Sequence, residues 1–470
     1  MSALPDYLSD WITAQRWYAG KGRSPSWERL GGFELPDPEG EARITVHLFL
    51  DTAERPLLYQ VPLTERTAPV ASLEHALIGT FEEKGATRYV YDGPRDPACA
   101  KAILRLILDE GTARPDDGAP GIAARGHSSP TVPALEIGSP RVLSGEQSNT
   151  SIIYDMTTLD GATAEPVICK VFRSLHHGEN PDVTLLSALA GAGSTVVPQS
   201  VGHIIGQWHD TGEPTGFAHG HLAFAQEFFP GVEDAWRVAL EAAEAGDDFA
   251  GRAHTLGEAT ADVHTTLAAA LPTRAQAPAD IATTIASMRA RFEEAVSVVP
   301  SIERHRAALE RVYEGLATAA WPPMQRIHGD FHLGQVLSVP DRGWIILDFE
   351  GEPLRPMRER AREDTPLRDI AGMLRSFDYV AGSVAQAHPG RSVAEWALTA
   401  RRAFLDGYIA RSGADLRADR LLLDAFEIDK ALYESVYEAR NRPAWLSIPI
   451  AAIDRLVERA AARCTSPTIS

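Results

Sequence analysis

Residues 328–335 read His328-Gly329-Asp330-Phe331-His332-Leu333-Gly334-Gln335, and residues 345–350 read Ile345-Ile346-Leu347-Asp348-Phe349-Glu350. In the first stretch a carboxylate stands five residues ahead of a side-chain amide. In the second, a carboxylate ends an apolar run of strand character. Phosphoryl transfer from a nucleotide requires these groups. One carboxylate accepts or orients the proton of an attacking hydroxyl; an amide and a second carboxylate hold magnesium against phosphate oxygens. Hard oxygen donors suit that ion. Asp330 is therefore the candidate base, Gln335 and Asp348 are candidate metal ligands, and Glu350 is a further ligand reached through water. The segment between them, SVPDRGW, reads as a hairpin.

A second reading of the same residues is a zinc pair, because His328 and His332 match HxxxH. That pair needs a helix. Gly329 and Gly334 make the stretch a poor one, and no third ligand follows at a metalloenzyme spacing. His328 reads instead as a hydrogen-bonding brace, grouped with Asp330 in the catalytic set. His332, beside the base, joins the substrate set.

Outward from this centre the chain changes character. Residues 111–140 are rich in Gly, Pro, Ala and Ser and lack an apolar period, so they read as a linker or long loop. Before them, ARITVHLFLD and PLLYQVPLT alternate like strands; after them, RVLSGEQSNTSIIYDM, EPVICKVF and HLAFAQEFF do the same. From about Ala235 apolar residues recur at spacings of three and four, as in LGEATADVHTTLAAAL and LRDIAGMLRSFDYVAGSV. The expected domains are 1–110, a linker 111–140, 141–230 and a helical 231–470.

Composition bounds the rest. A chain of 470 residues with 44% apolar content exceeds one ordinary core. Forty-five basic against 64 acidic residues give a net charge of −19, which repels nucleic-acid backbones and anionic membranes. Trp17-Tyr18-Ala19-Gly20-Lys21-Gly22-Arg23 interleaves aromatic and basic residues, but one short stretch does not offset that balance. It reads as a docking segment for the first unit. The three cysteines, Cys99, Cys169 and Cys464, suggest neither a disulfide framework nor a CxxC metal site. The N-terminus lacks a signal-peptide pattern, and no apolar run approaches the roughly 20 residues of a membrane span. A cytoplasmic location is the expectation.

Nucleotide-binding candidates lie upstream. Ser144-Gly145-Glu146-Gln147-Ser148-Asn149-Thr150 sits between two strand-like runs. Its small polar residues can present hydroxyls and backbone N–H groups to phosphate, which nominates Ser144, Gln147, Ser148, Asn149 and Thr150. No GK[ST] element is present, so it is not a Walker A loop; an ordinary hairpin turn reads the same. Lys170 stands in the apolar run VICKVF, a costly place for a charge without a partner or ligand.

On the helical side, Lys430, Tyr433, Glu434 and Tyr437 fall at i, i+3, i+4 and i+7, one face of a helix. Their polar-aromatic mixture suits a sugar, though a solvated helix face has the same spacing. Arg440, Asn441 and Arg442 precede the helix-ending Pro443 and either line the pocket rim or cap the helix.

HGDFHLGQ and ILDFEGEP resemble the HGDxxxxN and DFE motifs of the aminoglycoside-phosphotransferase-like branch of the kinase superfamily. The resemblance implies that Asp330 is the base and that Gln335, one methylene longer than the usual Asn, and Asp348 hold metal. It makes Lys170 the phosphate lysine and Gln226-Glu227-Phe228 a hinge facing adenine. Thr184 occupies the position where relatives carry the lysine's Glu partner, leaving Asp182 or no partner. QRWYAG, EQSNTS and YEARNRPAWLSIPI further resemble actinobacterial maltokinases. That implies an α+β, bilobal protein-kinase-like fold with a strand-rich N-terminal cap and a large helical C-terminal lobe. It also implies ATP and Mg2+ as cofactors, maltose as acceptor, maltose 1-phosphate for α-glucan synthesis as product, and a trehalose synthase partner. The competing readings are another sugar or aminosugar kinase, such as a glucosamine kinase, and a non-catalytic nucleotide-binding regulator. The regulator should have lost Asp330 or Asp348, and both are present.

Overall fold

The computed structural model describes residues 4–37, 39–53, 56–116, 122–130, 132–144, 148–352, 357–416 and 418–465, with 463–465 by backbone alone. The chain forms two compact units: Met1–Ser187 with Pro198–Pro230, and Ala188–Val197 with Gly231–Ser470.

The first unit opens with α1 (Asp6–Ala14), β1 (Trp27–Leu35), β2 (Arg43–Asp51), β3 (Leu57–Arg66), β4 (Leu77–Glu83), β5 (Ala86–Asp92) and α2 (Pro97–Leu108). It continues with β6 (Thr112–Pro115), β7 (Ala123–Ser128), β8 (Leu135–Val142), β9 (Asn149–Thr158), β10 (Thr163–Phe172) and β11 (Ser174–Leu175). After α3 (Pro181–Gly191), which runs across the division between the units, come β12 (Ser200–His209) and β13 (Phe217–Glu227). The strands form one sheet in the order β4-β5-β3-β2-β1-β6-β7-β12-β13-β10-β9-β8, with β11 paired to β3.

Residues 111–140, expected to be a linker, instead contribute β6, β7 and most of β8. The stretch AARGHS has no apolar alternation of its own. It pairs with β12 from Gly202↔Ser128 to Gln207↔Ala123, so its neighbour imposes the strand. The helix α2 was also absent from the sequence reading. Asp96 caps it by accepting the Ala98 N–H, and its apolar face is buried.

The N-terminal stretch around Trp17, expected to dock the first 110 residues onto the next segment, packs mainly within those residues. Trp17 and Tyr18 join Ile12, Phe49, Tyr59 and Val61 in one buried cluster. The Trp17 ring lies 5.1 Å from the Arg173 guanidinium carbon. Arg173 is fully buried, and its Nη2 donates to Asp92 at 2.8 Å. Cys99 and Cys169 are buried free thiols.

The second unit is helical: β14 (Glu233–Asp234), α4 (Ala235–Ala245), α5 (Ala250–Ala270), α6 (Pro278–Val298) and α7 (Arg306–Thr318) come first. A hairpin of β15 (Val336–Val339) and β16 (Gly343–Ile346) follows. Then come α8 (Met357–Arg360), α9 (Leu367–Ala387), α10 (Ala394–Ser412), α11 (Arg420–Asn441) and α12 (Ser447–Thr465). No helix among the described residues is long and apolar enough to cross a membrane.

Candidate active site

Residues 328–332 form a loop rather than a helix, so the zinc-pair geometry is not realised. Gly329 takes φ 86°, a conformation that glycine adopts without strain. The loop is anchored from beneath by Asp369 on α9, which is 1% exposed. Its Oδ2 accepts the His328 N–H at 2.8 Å and its Oδ1 the Gly329 N–H at 2.9 Å. His264 Nε2 lies 3.0 Å from the same Oδ2, and the other His264 nitrogen meets the Tyr408 hydroxyl at 3.0 Å. Burial alone would raise the Asp369 pKa, but the His264 hydrogen bond and charge, with the Gly329 N–H, bring it below the ordinary carboxylate value. The sequence reading passed over this residue.

His328 Nε2 bonds the Leu347 carbonyl at 3.0 Å, so that nitrogen carries the proton. Its Nδ1 accepts the Asp330 N–H at 3.4 Å. With both ring nitrogens engaged and 2% exposure, His328 positions the loop and does not reach substrate, which corrects its place in the catalytic set.

The hairpin explains the spacing of Gln335 and Asp348. Val336 pairs with Ile346, and the Leu347 N–H donates to the Gln335 carbonyl at 3.0 Å. Gln335 and Asp348 thereby flank one end of the ladder, and Gln335 Nε2 donates to Asp348 Oδ2 at 2.9 Å. The amide oxygen of Gln335 is then the end left for a cation. Asp348 sits at φ 66°, an uncommon conformation for a non-glycine residue and one concentrated at functional sites. Carboxylate oxygens of Asp348 and Glu350 lie within 4.8 Å of one another. An amide and two carboxylates are hard oxygen donors and fit Mg2+.

A cavity of about 600 Å3 opens beside the base, lined by Asp330, His332, Lys430, Tyr433, Glu434 and Tyr437. Further residues that the sequence reading gave no role or left as cap candidates also line it, among them Trp236, Ser376, Tyr379, Glu438, Arg442 and Trp445. Lys430 Nζ donates to Asp330 Oδ1 at 3.3 Å and to Glu352 Oε1 at 2.9 Å. Desolvation opposes the Lys430 charge, but Glu352 and Asp330 outweigh it and raise its pKa. Burial lowers the His332 pKa, with Asp330 opposing. Burial also raises the Glu434 pKa against the pull of Arg375, whose Nη2 donates to it at 2.7 Å.

Arg440 and Asn441 do not line this cavity. Arg440 turns to Glu294 on α6, its Nη2 donating at 3.0 Å. Asn441 is the last residue of α11 and bonds back to the Tyr437 carbonyl at 2.9 Å. Both are engaged elsewhere within the last turn of α11, and Arg442, just past its end, reaches the cavity instead. Its Nη2 bonds Glu438 Oε1 at 2.6 Å, and Tyr379 donates to the same oxygen at 3.0 Å.

In the first unit, Lys170 Nζ donates to Asp182 Oδ2 at 2.7 Å, and Asp182 is wholly buried. Asp182, two residues before Thr184, is thus the lysine's acid. Thr184 bonds Glu179 at 3.3 Å instead. Asn149 and Thr150 begin β9, opposite Phe172 and Val171. Thr150 is 9% exposed and its hydroxyl accepts Arg173 Nε at 2.8 Å, so it faces the unit's own interior. Ser144 and Ser148 flank the loop, whereas Gln147 lies outside the described residues. At the expected hinge, the Glu227 N–H donates to Gln199 O at 2.9 Å and the Phe228 N–H to Pro166 O at 2.8 Å. Gln226 Oε1 is buried without a hydrogen-bond partner.

A carboxylate on a braced loop, with an amide and carboxylates at the end of the following hairpin, is the arrangement of a phosphotransferase of the kinase-like α+β class. The chain belongs to the phosphotransferase enzyme family, which matches residues 183–422, and its residues 11–96 match the maltokinase N-terminal cap domain. It is similar to a glucosamine kinase of Streptacidiphilus jiangxiensis, 30% identical over 460 residues covering 93% of this chain and 99% of the relative. A glucosamine kinase of Mycolicibacterium smegmatis (strain ATCC 700084 / mc(2)155) is 27% identical over 323 residues, covering 65% and 79% respectively. The fold resembles that of a glucosamine kinase solved with glucosamine, ADP and inorganic phosphate. That match has a TM-score of 0.66 at 22% identity and covers 97% of this chain and all of the other.

Proposed function

We propose that this chain is an ATP-dependent sugar kinase that phosphorylates maltose at its anomeric hydroxyl, giving maltose 1-phosphate for α-glucan synthesis. The observation that carries the reading is the cavity beside Asp330, with its walls of Trp236, Tyr379, Tyr433, Tyr437 and Trp445. Its volume is that of a small-molecule site, and aromatic faces suit the C–H faces of sugar rings while their polar ends reach sugar oxygens. Asp330 takes the proton of the attacking hydroxyl as the new O–P bond forms and the bond to ADP breaks. Magnesium held by Gln335 and Asp348, with Glu350 near, would neutralise charge on the phosphates. Lys170, fixed by Asp182, is assigned to the nucleotide phosphates.

Glucosamine, the acceptor in the names of the relatives, is the second reading. An aminosugar's ammonium needs a carboxylate to meet. Here Glu434 is bound by Arg375, Glu438 by Arg442 and Tyr379, and Asp330 by Lys430. A second cation beside Lys430 would meet like charge, which costs binding energy. These pairs favour a neutral acceptor.

The test is a panel of maltose, glucose and glucosamine with ATP and Mg2+, with the phosphorylated position read by NMR. Maltose should give the highest kcat/KM and a C1 phosphate. Glucosamine in first place, with a C6 phosphate, would transfer the site to the second reading. Tyr437→Ala should lower kcat/KM for maltose by about 10-fold or more and narrow its advantage over glucose. A trehalose synthase partner belongs to the same reading and is tested by co-elution of the two purified proteins.

A further inference from the structure

We infer that a second cavity, between α9, α10 and α12, binds an anionic amphiphile with an aliphatic body, of the fatty-acid kind. The cavity measures about 690 Å3, within the range of small-molecule sites. It lies on the other face of α9 from the acceptor cavity. Gly372, Ser376 and Tyr379 line the acceptor side, whereas Asp378, Ala381 and Ala385 line this one.

Two features specify the ligand. The first is the wall. Val393, Ala397, Leu398, Ile448 and Ala452 are aliphatic, and no aromatic side chain among the described residues lines the space. A sugar ring or nucleobase would find no stacking platform there, in contrast to the acceptor cavity, but an alkyl chain needs none.

The second feature is charge. Among the described residues, Arg391, Arg401, Arg455 and Arg459 line the cavity with a single carboxylate, Asp378. The Asp378 Oδ2 atom is shared by Arg375 at 2.6 Å, Arg401 at 3.2 Å and Arg455 at 2.6 Å. Arg401 and Arg459 also bond Glu427, and Arg459 and Arg420 bond Asp424. Counting Arg375 with its other partner Glu434, six guanidiniums meet four carboxylates around this cavity, in a chain of net charge −19. Arg455 is half exposed and bonded through one nitrogen, and Arg391 makes a 3.4 Å contact to the Ala243 carbonyl. Their remaining N–H donors match a carboxylate or phosphate head group. Arg375 also ties the two cavities together, because Asp378 lines one and Glu434 the other. A head group that draws Arg455 away from Asp378 therefore alters the partners of Arg375 and is felt on the acceptor side.

The probes are laurate and lauryl phosphate, each below its micelle concentration, titrated calorimetrically into the full chain without sugar or nucleotide. Octyl glucoside is the neutral control. One saturable laurate or lauryl phosphate per chain is expected, and comparison of the two ranks carboxylate against phosphate. Binding should weaken by about tenfold or more in Arg455→Gln and in Ala451→Phe, which fills the cavity without changing its charge. Thermal melts establish that both variants fold. Binding that does not saturate, that survives Ala451→Phe unchanged, or that octyl glucoside reproduces would overturn the proposal. A laurate-dependent shift in acceptor KM that Ala451→Phe abolishes is expected from the Arg375 bridge; an unchanged KM with laurate bound refutes that coupling. The titration contains no substrate, so its failure is distinct from failure of the proposed phosphoryl transfer.

Discussion

Asp369→Ala tests whether the catalytic loop is held from beneath. The substitution removes the acceptor of the His328 and Gly329 N–H groups and of His264 Nε2. Each buried donor left unsatisfied costs about 1–3 kcal/mol, so three would cost up to about 9 kcal/mol if the site stayed dry. Water entering the space of the lost carboxylate reduces this, and about 3–5 kcal/mol is the working figure for breaking a buried charged contact. For a unit of this size that corresponds to a fall in Tm of about 6–20 °C. Activity should fall more steeply than nucleotide binding, because a 1 Å displacement of Asp330 costs about 100-fold in rate. The milder Asp369→Asn separates charge from shape. The folded-state pKa of Asp369 is depressed, so its stabilisation is present above the unfolded carboxylate value of about 3.9. That stabilisation is lost as pH falls through the lower folded value. The stability gap between wild type and Asn should therefore be constant near neutrality and close as pH falls below about 4. Denaturation followed from pH 7 to pH 3, with steady-state kinetics at pH 7, reads all three effects. A Tm within about 1 °C of wild type together with kcat within about threefold would refute the bracing role.

Asp330→Asn should lower kcat by about 10²–10⁴-fold while ATP still protects the protein thermally; a loss of less than about threefold would remove Asp330 as the base. Asp348→Ala should weaken the Mg2+ dependence of nucleotide binding as well as turnover, and an unaltered Mg2+ titration would exclude it as a ligand. Lys170→Ala should raise the KM for ATP more than that for the sugar. Asp182→Ala should do the same and lower Tm, because it leaves Lys170, now bonded at 2.7 Å, without its buried partner. Impairment toward sugar alone in either variant would assign the pair elsewhere.

The chemistry-bearing residues were legible because their spacing is local. Five residues separate Asp330 from Gln335, and a hairpin returns Asp348 to Gln335, so one short segment contains its own geometry. The helix stripe Lys430, Tyr433, Glu434 and Tyr437 was legible for the same reason, since helical period alone puts four side chains on one face. Legibility failed where a distant partner decides. AARGHS becomes a strand because β12 lies beside it, and nothing in its own pattern indicates this. Asp182 was one of two options for the Lys170 partner, since a lysine on one strand does not say which turn of a later helix it meets. Asp369 looks like an ordinary polar residue in an amphipathic helix, and the loop it serves lies some forty positions earlier. Arg440 and Asn441 still lie within α11, but their side chains are drawn to Glu294 and to the Tyr437 carbonyl, and helical spacing alone does not show such partners.

The same helix positions both the Asp330 loop and one wall of the adjacent cavity. On α9, Asp369, Gly372, Ser376 and Tyr379 are spaced by three, four and three residues and share a face. Asp369 holds the His328 and Gly329 N–H groups, and Ser376 accepts the Leu333 N–H at 3.1 Å. Gly372 permits the approach, since a Cβ there would stand 2.5 Å from the Phe331 carbonyl oxygen. Tyr379 continues the face into the acceptor cavity, its hydroxyl on Glu438 of α11. From α11, Lys430 returns to Asp330, and Glu434 is clamped by Arg375 of α9. Asp330 and the cavity wall are thus referenced to two cross-linked helices rather than to separate loops. A rate that depends on sub-ångström placement of a hydroxyl against Asp330 calls for such a frame. The arrangement also explains why so many charges are buried beside the site. Asp378 of α9 is held by Arg375, Arg401 and Arg455 and Glu434 of α11 by Arg375, because removing a guanidinium would leave a bare buried charge.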